Sequence, residues 1–142
     1  MASRKEKIRT EKKLARSRLT DKYINTASRK ICEYLVKSSQ YKNSTTIGCY
    51  LSTKYEVQTG LIISSIFEDE KELFLPKIKS NSEMNFVKIS KKTRFRRNKF
   101  GIKEPDTKNI SIEPNLDLVV VPLVAFDARK NRIGMGGGYY DR

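Results

Sequence analysis

Apolar and polar positions follow a helical period at the start of the chain and a strand period further on. From Arg4 to Arg18 the sequence is charged and free of glycine and proline, with Ile8, Ala15 and Leu19 at roughly helical spacing. This predicts an amphipathic helix with a thin apolar stripe. Thr20 is placed to cap a second helix, in which Ile24, Ala27, Ile31 and Leu35 recur on one face until Ser38-Ser39-Gln40 ends it. Thr46 to Leu51 (TIGCYL) is a short apolar run that fits a buried strand. Thr59 can then cap a helix over Leu61, Ile62, Ser65 and Ile66, and Glu70-Lys71 leads into a strand from Glu72 to Leu75, stopped by Pro76.

After a polar turn at Ser80-Asn81-Ser82, Met84 to Ile89 alternates as a third strand. Lys88 to Lys99 is strongly basic and reads as a connecting loop, and Asp106 to Asn115 is a second, polar loop. Leu118 to Val121 is the most apolar strand, expected to be buried on both faces in the middle of a parallel sheet. Helices and strands alternate in the order of an α/β layered fold, with a central mixed, largely parallel sheet flanked by helices. No internal repeat or low-complexity linker interrupts residues 1–142, so a single domain is expected.

Composition narrows the chemistry. The chain has no His and no Trp, which excludes Ser-His-Asp and Cys-His mechanisms, histidine general bases and His-containing zinc sites. Cys32 and Cys49 lack CxxC spacing, so neither a redox motif nor a Cys-rich metal site is available. Catalysis has to run on carboxylates, Lys, Arg, Tyr, backbone amides and whatever ion a ligand brings. The net charge of +14, from 30 Lys and Arg against 16 Asp and Glu, calls for a polyanionic partner. That partner is either nucleic acid or a small polyanion such as a nucleotide or a polyglutamylated cofactor, steered in by the field of the surface. The same charge also reads simply as a lysine-rich solvated surface. No segment approaches the ~20 apolar residues needed to span a bilayer. The basic start MASRKEKIRTEKK is not followed by the apolar stretch of a secretory signal. A cytoplasmic protein with no membrane partner is expected.

Four of the seven glycines lie in Gly134-Met135-Gly136-Gly137-Gly138, flanked by Arg132 and by Tyr139-Tyr140-Asp141-Arg142. Consecutive glycines cost backbone entropy and are tolerated where backbone must approach something closely or adopt φ > 0. Successive amides in such a loop can converge on an anion, and Arg132 adds a bidentate phosphate partner. Asp141 offers a hard oxygen ligand for a Mg²⁺ shared with a nucleotide. The bland alternative is a surface turn, which the flanking Arg, Tyr-Tyr and Asp disfavour. No Gly-Lys-Ser/Thr follows, and Pro122 to Asn131 separates the glycines from the preceding strand, so the run is neither a Walker A loop nor a dinucleotide fingerprint.

These residues carry a specific resemblance. Asp117 to Pro122, Ala125-Phe126-Asp127 and Asn131 to Arg142 resemble the signature of the 5-formyltetrahydrofolate cyclo-ligases, also called methenyltetrahydrofolate synthetases. Lys5-Glu6-Lys7-Ile8-Arg9 resembles the family's N-terminal Lys-xxx-Arg element. Tyr50-Leu51-Ser52 with Glu56-Val57 and Thr59 resembles its folate-side motif. Leu75-Pro76-Lys77-Ile78, Met84-x-Phe86 and Phe100-Gly101-Ile102-x-Glu104-Pro105 recur in the expected order. The similarity spans essentially the whole chain.

The resemblance implies ATP- and Mg²⁺-dependent conversion of 5-formyltetrahydrofolate to 5,10-methenyltetrahydrofolate, with release of ADP and phosphate. A formamide oxygen is a poor leaving group; phosphorylating it gives an activated imidate that N10 can attack. Such chemistry asks for alignment, charge neutralisation and exclusion of water rather than a protein nucleophile. By the same resemblance Lys5 and Arg9, on one helix face, would reach the ATP phosphates. Arg132, Ile133, Gly134, Met135, Gly136, Gly137 and Gly138 would hold the triphosphate, and Asp141 would coordinate Mg²⁺. Leu51 and Glu56 would line the folate pocket, Glu56 accepting from the pterin edge. Tyr139 would border folate or nucleotide, with Tyr140 assigned either there or to the core. On spacing alone, Lys5, Arg9 and Glu56 read equally as solvated charges.

Two features depart from the family. Family members continue past the signature into further structure, so a chain stopping at Arg142 is read as shortened at its C-terminal end and expected to bind ATP poorly by itself. The segment Lys88 to Phe100 carries seven basic residues, no acid and two phenylalanines. Alone it would suit nucleic acid; within the resemblance it is a loop that could attract a polyglutamate tail. The expected substrate is thus 5-formyltetrahydrofolate, polyglutamylated or not, handled by a monomer. A basic nucleic-acid-binding module and a truncated inactive relative are the alternatives.

Overall fold

The structure is a computed structural model that describes residues 1–79, 83–106, 115–136 and 139–141, Asp141 through its backbone. Helix α1 (Arg4–Ser17) opens on a capping box. The Ser3 hydroxyl accepts from the Glu6 N–H, and the Glu6 carboxylate accepts from the Ser3 N–H. None of its residues is buried, in keeping with its thin apolar stripe. Helix α2 (Asp21–Lys37) starts where the sequence places it, Thr20 accepting from the Tyr23 N–H. A one-turn helix α3 (Ser39–Lys42), absent from the sequence reading, follows at once because Ser38 both ends α2 and caps α3 through Tyr41 N–H.

The main sheet runs β3-β2-β1-β6. Strand β1 (Thr46–Gly48) pairs in parallel with β2 (Glu72–Ile78) and with β6 (Leu118–Val119), and β2 pairs antiparallel with β3 (Met84–Ile89). This is the expected mixed, largely parallel sheet. Helix α4 (Gly60–Glu68) makes the crossover from β1 to β2. It packs with α2 on a core of Ile47, Ile62, Ile66, Leu73, Leu75, Val87 and Ile89, joined by Cys32, Tyr41 and Cys49. Two hairpins complete the layer around the sheet: β4 (Phe95–Arg97) with β5 (Lys103–Pro105), and β7 (Ala125–Phe126) with β8 (Arg132–Ile133).

Four local expectations are corrected. The buried face of α2 is Ile24, Ser28 and Cys32, not the stripe through Ala27 and Ile31; Ile31 is 43% exposed. The helix is turned so that the Ser28 hydroxyl can accept from the Gln58 N–H at 2.8 Å. Strand β2 continues through Pro76, because pairing with β1 ends at Phe74 and a residue without an N–H is tolerated where only β3 remains as partner. Strand β6 is an edge among the described strands rather than a centre, leaving Val119 37% exposed. The basic segment is not all loop, since Phe95–Arg97 pairs with Lys103–Pro105. The second loop, 107–114, and the turn at 80–82 lie outside the described residues.

Gly48 in β1 is required by a close approach. A Cβ there would lie 2.8 Å from the Leu116 side chain and 3.0 Å from the Phe86 ring.

Candidate active site

Ligands of open α/β sheets gather beyond the carboxyl ends of the parallel strands, where connecting loops diverge. Here the segment after β1 carries Tyr50, Leu51, Thr53 and Glu56 to that edge, and the segment after β6 returns through β7 and β8 with Arg132, Gly134, Met135 and Gly136. Tyr139 and Tyr140, in a terminal 3₁₀ turn (Tyr139–Asp141), close the same side. Pro76 and Ile78 of β2, Met84 of β3 and the β4–β5 turn form the opposite wall, and Arg9 reaches in from α1. They enclose a cavity of about 570 Å³, the size of a small-ligand site.

The cationic end is built by side chains on backbone. Arg9 Nε donates to the Gly134 carbonyl at 2.9 Å. A Cβ placed at Gly134 would lie 3.5 Å from Arg132 Nη1. Gly136 has φ +107 and would bring a Cβ within 3.8 Å of the Arg9 guanidinium, so two arginines flank a turn that only glycine adopts easily. Helix α1 is also tied to the segment that follows β6, Arg16 Nη1 donating to the Leu123 carbonyl at 3.4 Å. Arg132 is delivered by a tight hairpin. Asp127 accepts from the Arg129 and Asn131 N–H groups and from Asn131 Nδ2, and these bonds, those of Asn131 foremost, hold its carboxyl below the usual range.

The other end is carboxylate and aromatic. Glu56 is only 8% exposed, and its Oε2 accepts from the Thr53 N–H at 2.8 Å. The loop around it is tied by Gln58, whose Nε2 donates to the Thr53 and Glu56 carbonyls at 2.9 and 3.0 Å. Thr59 does not cap α4 through its side chain as expected; its hydroxyl donates to the Tyr50 carbonyl at 2.6 Å, pinning the loop's two ends together. Tyr140 packs edge-on against Phe86, with ring centroids 6.3 Å apart. It both supports the core and lines the cavity. Burial first, then the neighbouring Cys49 and Glu56, pushes its phenol up, and burial followed by Glu56 does the same to Tyr50. Burial pushes the Cys49 thiol up to about 12, so it is no nucleophile near neutral pH.

Of the residues singled out from the sequence, Arg9, Leu51, Glu56, Arg132, Gly134, Met135, Gly136, Tyr139 and Tyr140 come together around this one cavity. Lys5 and Ile133 are not among its lining residues; Lys5 is exposed one turn before Arg9 on α1. Gly137, Gly138 and the Asp141 side chain lie outside what the structure describes. Among the described residues no group of three Cys, Asp or Glu comes together as a metal cage. Sequence reasoning missed Asn98 and Glu104 as wall residues. The signal for Glu104 was the Phe100-Gly101-Ile102-x-Glu104-Pro105 block, noted for its family resemblance and given no role, while Asn98 lay in the run read for its charge.

A sequence profile of the 5-formyltetrahydrofolate cyclo-ligase family matches residues 1–142. The chain belongs to that family. A 5-formyltetrahydrofolate cyclo-ligase of Haemophilus influenzae is 32% identical to this family member over 143 residues, covering 98% of this chain and 76% of its own. Among solved structures, the 5,10-methenyltetrahydrofolate synthetase of Aquifex aeolicus superposes with a TM-score of 0.83 at 30% identity, covering 97% of this chain and 70% of that one. The synthetase of Mycoplasma pneumoniae gives 0.76 at 26% identity, over 99% and 76%. As a cyclo-ligase-family protein the chain is a ligase of folate metabolism, and no helix among its described residues is long and apolar enough to cross a membrane.

Proposed function

We propose that this chain catalyses the ATP-dependent cyclisation of 5-formyltetrahydrofolate to 5,10-methenyltetrahydrofolate, releasing ADP and phosphate. One observation carries the reading: Arg9, Arg132 and the Gly134–Gly136 turn line the same cavity as Glu56 and Leu51. An anion-binding end and a donor-reading carboxylate within one enclosure suit two ligands that must react with each other, a triphosphate and a reduced pterin. The turn fits phosphate because its backbone is bare of Cβ atoms where the two guanidinium groups stand.

In this reading Arg9 and Arg132 hold the triphosphate and neutralise charge as the terminal phosphoryl passes to the formyl oxygen, with Lys5 adding its charge from the same helix. Backbone amides of the Gly134–Gly136 turn, which follows Arg132 after Ile133 and includes Met135, complete the cradle, and by the resemblance Gly137 and Gly138 extend it. Magnesium brought in with the nucleotide would supply further charge neutralisation, and by the resemblance the Asp141 carboxylate is the protein oxygen that would hold it. Glu56 accepts from the donor edge of the pterin, and Leu51 and Tyr139 bound its faces. N10 then attacks the carbon bearing the phosphorylated oxygen, forming the C–N bond; the C–O bond breaks as phosphate leaves with the former formyl oxygen, and N10 gives up its proton. No protein nucleophile is needed.

Lys103, in the cavity lining, would meet the carboxylates of a glutamyl tail. A nucleic-acid role is disfavoured by the aromatics of this segment, since Lys103 covers the Phe95 ring at 5.6 Å and Lys99 the Phe100 ring at 5.1 Å, and Phe95 packs on the core. The reading carries a monomer in the cytoplasm, and two free cysteines, Cys32 and Cys49, suit a reducing compartment. The deciding experiment follows methenyltetrahydrofolate absorbance from 5-formyltetrahydrofolate with ATP and magnesium. ATP-dependent growth of that absorbance is expected. Its absence, together with steeply salt-dependent retention on DNA, would replace the reading with the basic binding module.

A further inference from the structure

Glu104 is a carboxylate with only 5% of its surface exposed, in the wall of a largely apolar cavity. Burying such a group is costly unless hydrogen bonds replace water. Its Oε2 accepts from the Ile78 N–H of β2 at 3.3 Å and from Asn98 Nδ2 at 3.1 Å. The Asn98 Oδ1 in turn accepts from the Phe100 and Ile102 N–H groups at 2.9 and 3.1 Å. These amides belong to the turn joining β4 and β5, which passes through Gly101 at φ +74. Phe100 and Ile102 are about half exposed and line the cavity. A continuous polar relay therefore runs from the central sheet, through Glu104 and Asn98, to the two apolar side chains that roof the pocket.

We propose that Glu104 and Asn98 are positioning residues for the apolar wall of the cavity, which suits a pterin ring rather than a triphosphate: Glu104, anchored on β2, orients the Asn98 carboxamide, which fixes the turn bearing Phe100 and Ile102. The proposal rests on the cyclisation reading for what the wall contacts, but the relay itself does not depend on it. Glu104 acts here as an acceptor, not as a charge. An amide in its place still offers an oxygen to Ile78 and Asn98.

The test compares Glu104→Ala with Glu104→Gln in the full chain. Loss of a hydrogen bond to a buried carboxylate predicts about a tenfold rise in KM for 5-formyltetrahydrofolate in Glu104→Ala, with KM for ATP moving less than about twofold and Glu104→Gln close to wild type. Amide hydrogen exchange at Phe100 and Ile102 should speed up in Glu104→Ala and not in Glu104→Gln. An equal rise in both KM values, a Glu104→Gln variant as impaired as Glu104→Ala, or unaltered exchange at the two amides would each overturn the proposal. Should the unmutated chain fail to close the ring at all, the cyclisation reading falls, while the exchange measurement still decides the relay.

Discussion

Arg9 and Gly134 stand 125 positions apart in the chain, yet the guanidinium Nε of one donates to the carbonyl of the other at 2.9 Å. That bond joins the first helix to the glycine turn and makes α1 part of the site. Since α1 buries no residue of its own, bonds from Arg9 and Arg16 to the segment after β6 do much of the docking. A helix held this way can respond to what binds at the turn, because the arginine that tethers it is also the one facing the cavity.

Replacing Arg9 should therefore change nucleotide affinity more than stability. Arg9→Lys keeps a charge but loses the fixed fork that serves a carbonyl and a phosphate together. A charge-assisted hydrogen bond of about 1.5–3 kcal/mol predicts roughly a tenfold or greater rise in KM for ATP in Arg9→Ala, with Arg9→Lys between it and wild type. The thermal midpoint should fall only modestly, because α1 is loosened while the buried core, to which it contributes no residue, is untouched. Initial rates at varied ATP check the first point and a melting curve the second; an unchanged KM would remove Arg9 from the site.

Glu56 should report on the other ligand. Glu56→Gln can still accept from the Thr53 N–H through its carbonyl oxygen, so the loop keeps its shape, but an acceptor facing the pocket becomes a donor. A mispaired buried polar group costs about 1–3 kcal/mol, so KM for 5-formyltetrahydrofolate should rise roughly tenfold or more. KM for ATP should stay near wild type. A variant that weakens both ligands equally would mean that the loop, not the carboxylate, was disturbed.

Most of the main sheet was legible because its determinants are local and repetitive. Met84 to Ile89 alternates and is β3, and Thr20 caps α2 as a threonine before an apolar period should. The misreadings have long-range causes. Ser28 is buried because Gln58, thirty positions on, needs an acceptor. Pro76 sits inside β2 because β1 is short. The apolar run at Leu118 was placed at the sheet centre, yet burial depends on neighbours that a strand's own composition does not reveal. At the site, Arg132 and the glycines were recognisable by residue type. Glu104 was named only as part of a family block, because a lone glutamate just past a basic run looks solvated until the hairpin folds it inward.

Gly136 tests the turn itself. Its φ of +107 lies where a side chain is strained by about 1–3 kcal/mol, although a Cβ there would only touch the Arg9 guanidinium at 3.8 Å. Gly136→Ala should weaken ATP binding and lower kcat while leaving the core intact, because no residue of the turn belongs to the buried cluster around Ile47 and Leu73. Near-wild-type circular dichroism with a raised KM for ATP is the expected result. A neutral substitution would show that backbone conformation at this position does not matter to phosphate.

Alkaline pH should destabilise the fold through Cys49. Burial carries its thiol from an ordinary 9.0 to about 12. Between those values the unfolded chain releases this proton while the folded chain keeps it, so the folded state binds more protons and stability falls as pH rises. The contribution is flat below pH 9 and lost progressively towards 12. The raised phenols of Tyr41, Tyr50 and Tyr140 add to the fall in the same direction. Melting midpoints from pH 7 to 11 should decline from about 9 upward, and Cys49→Ala, although less stable throughout for want of its buried sulfur, should decline more gently at the start of that range. At pH 7.5 neither buried cysteine should react readily with iodoacetamide until denaturant is added. Fast alkylation of the folded protein at Cys49 would contradict both the burial and the protonated thiol.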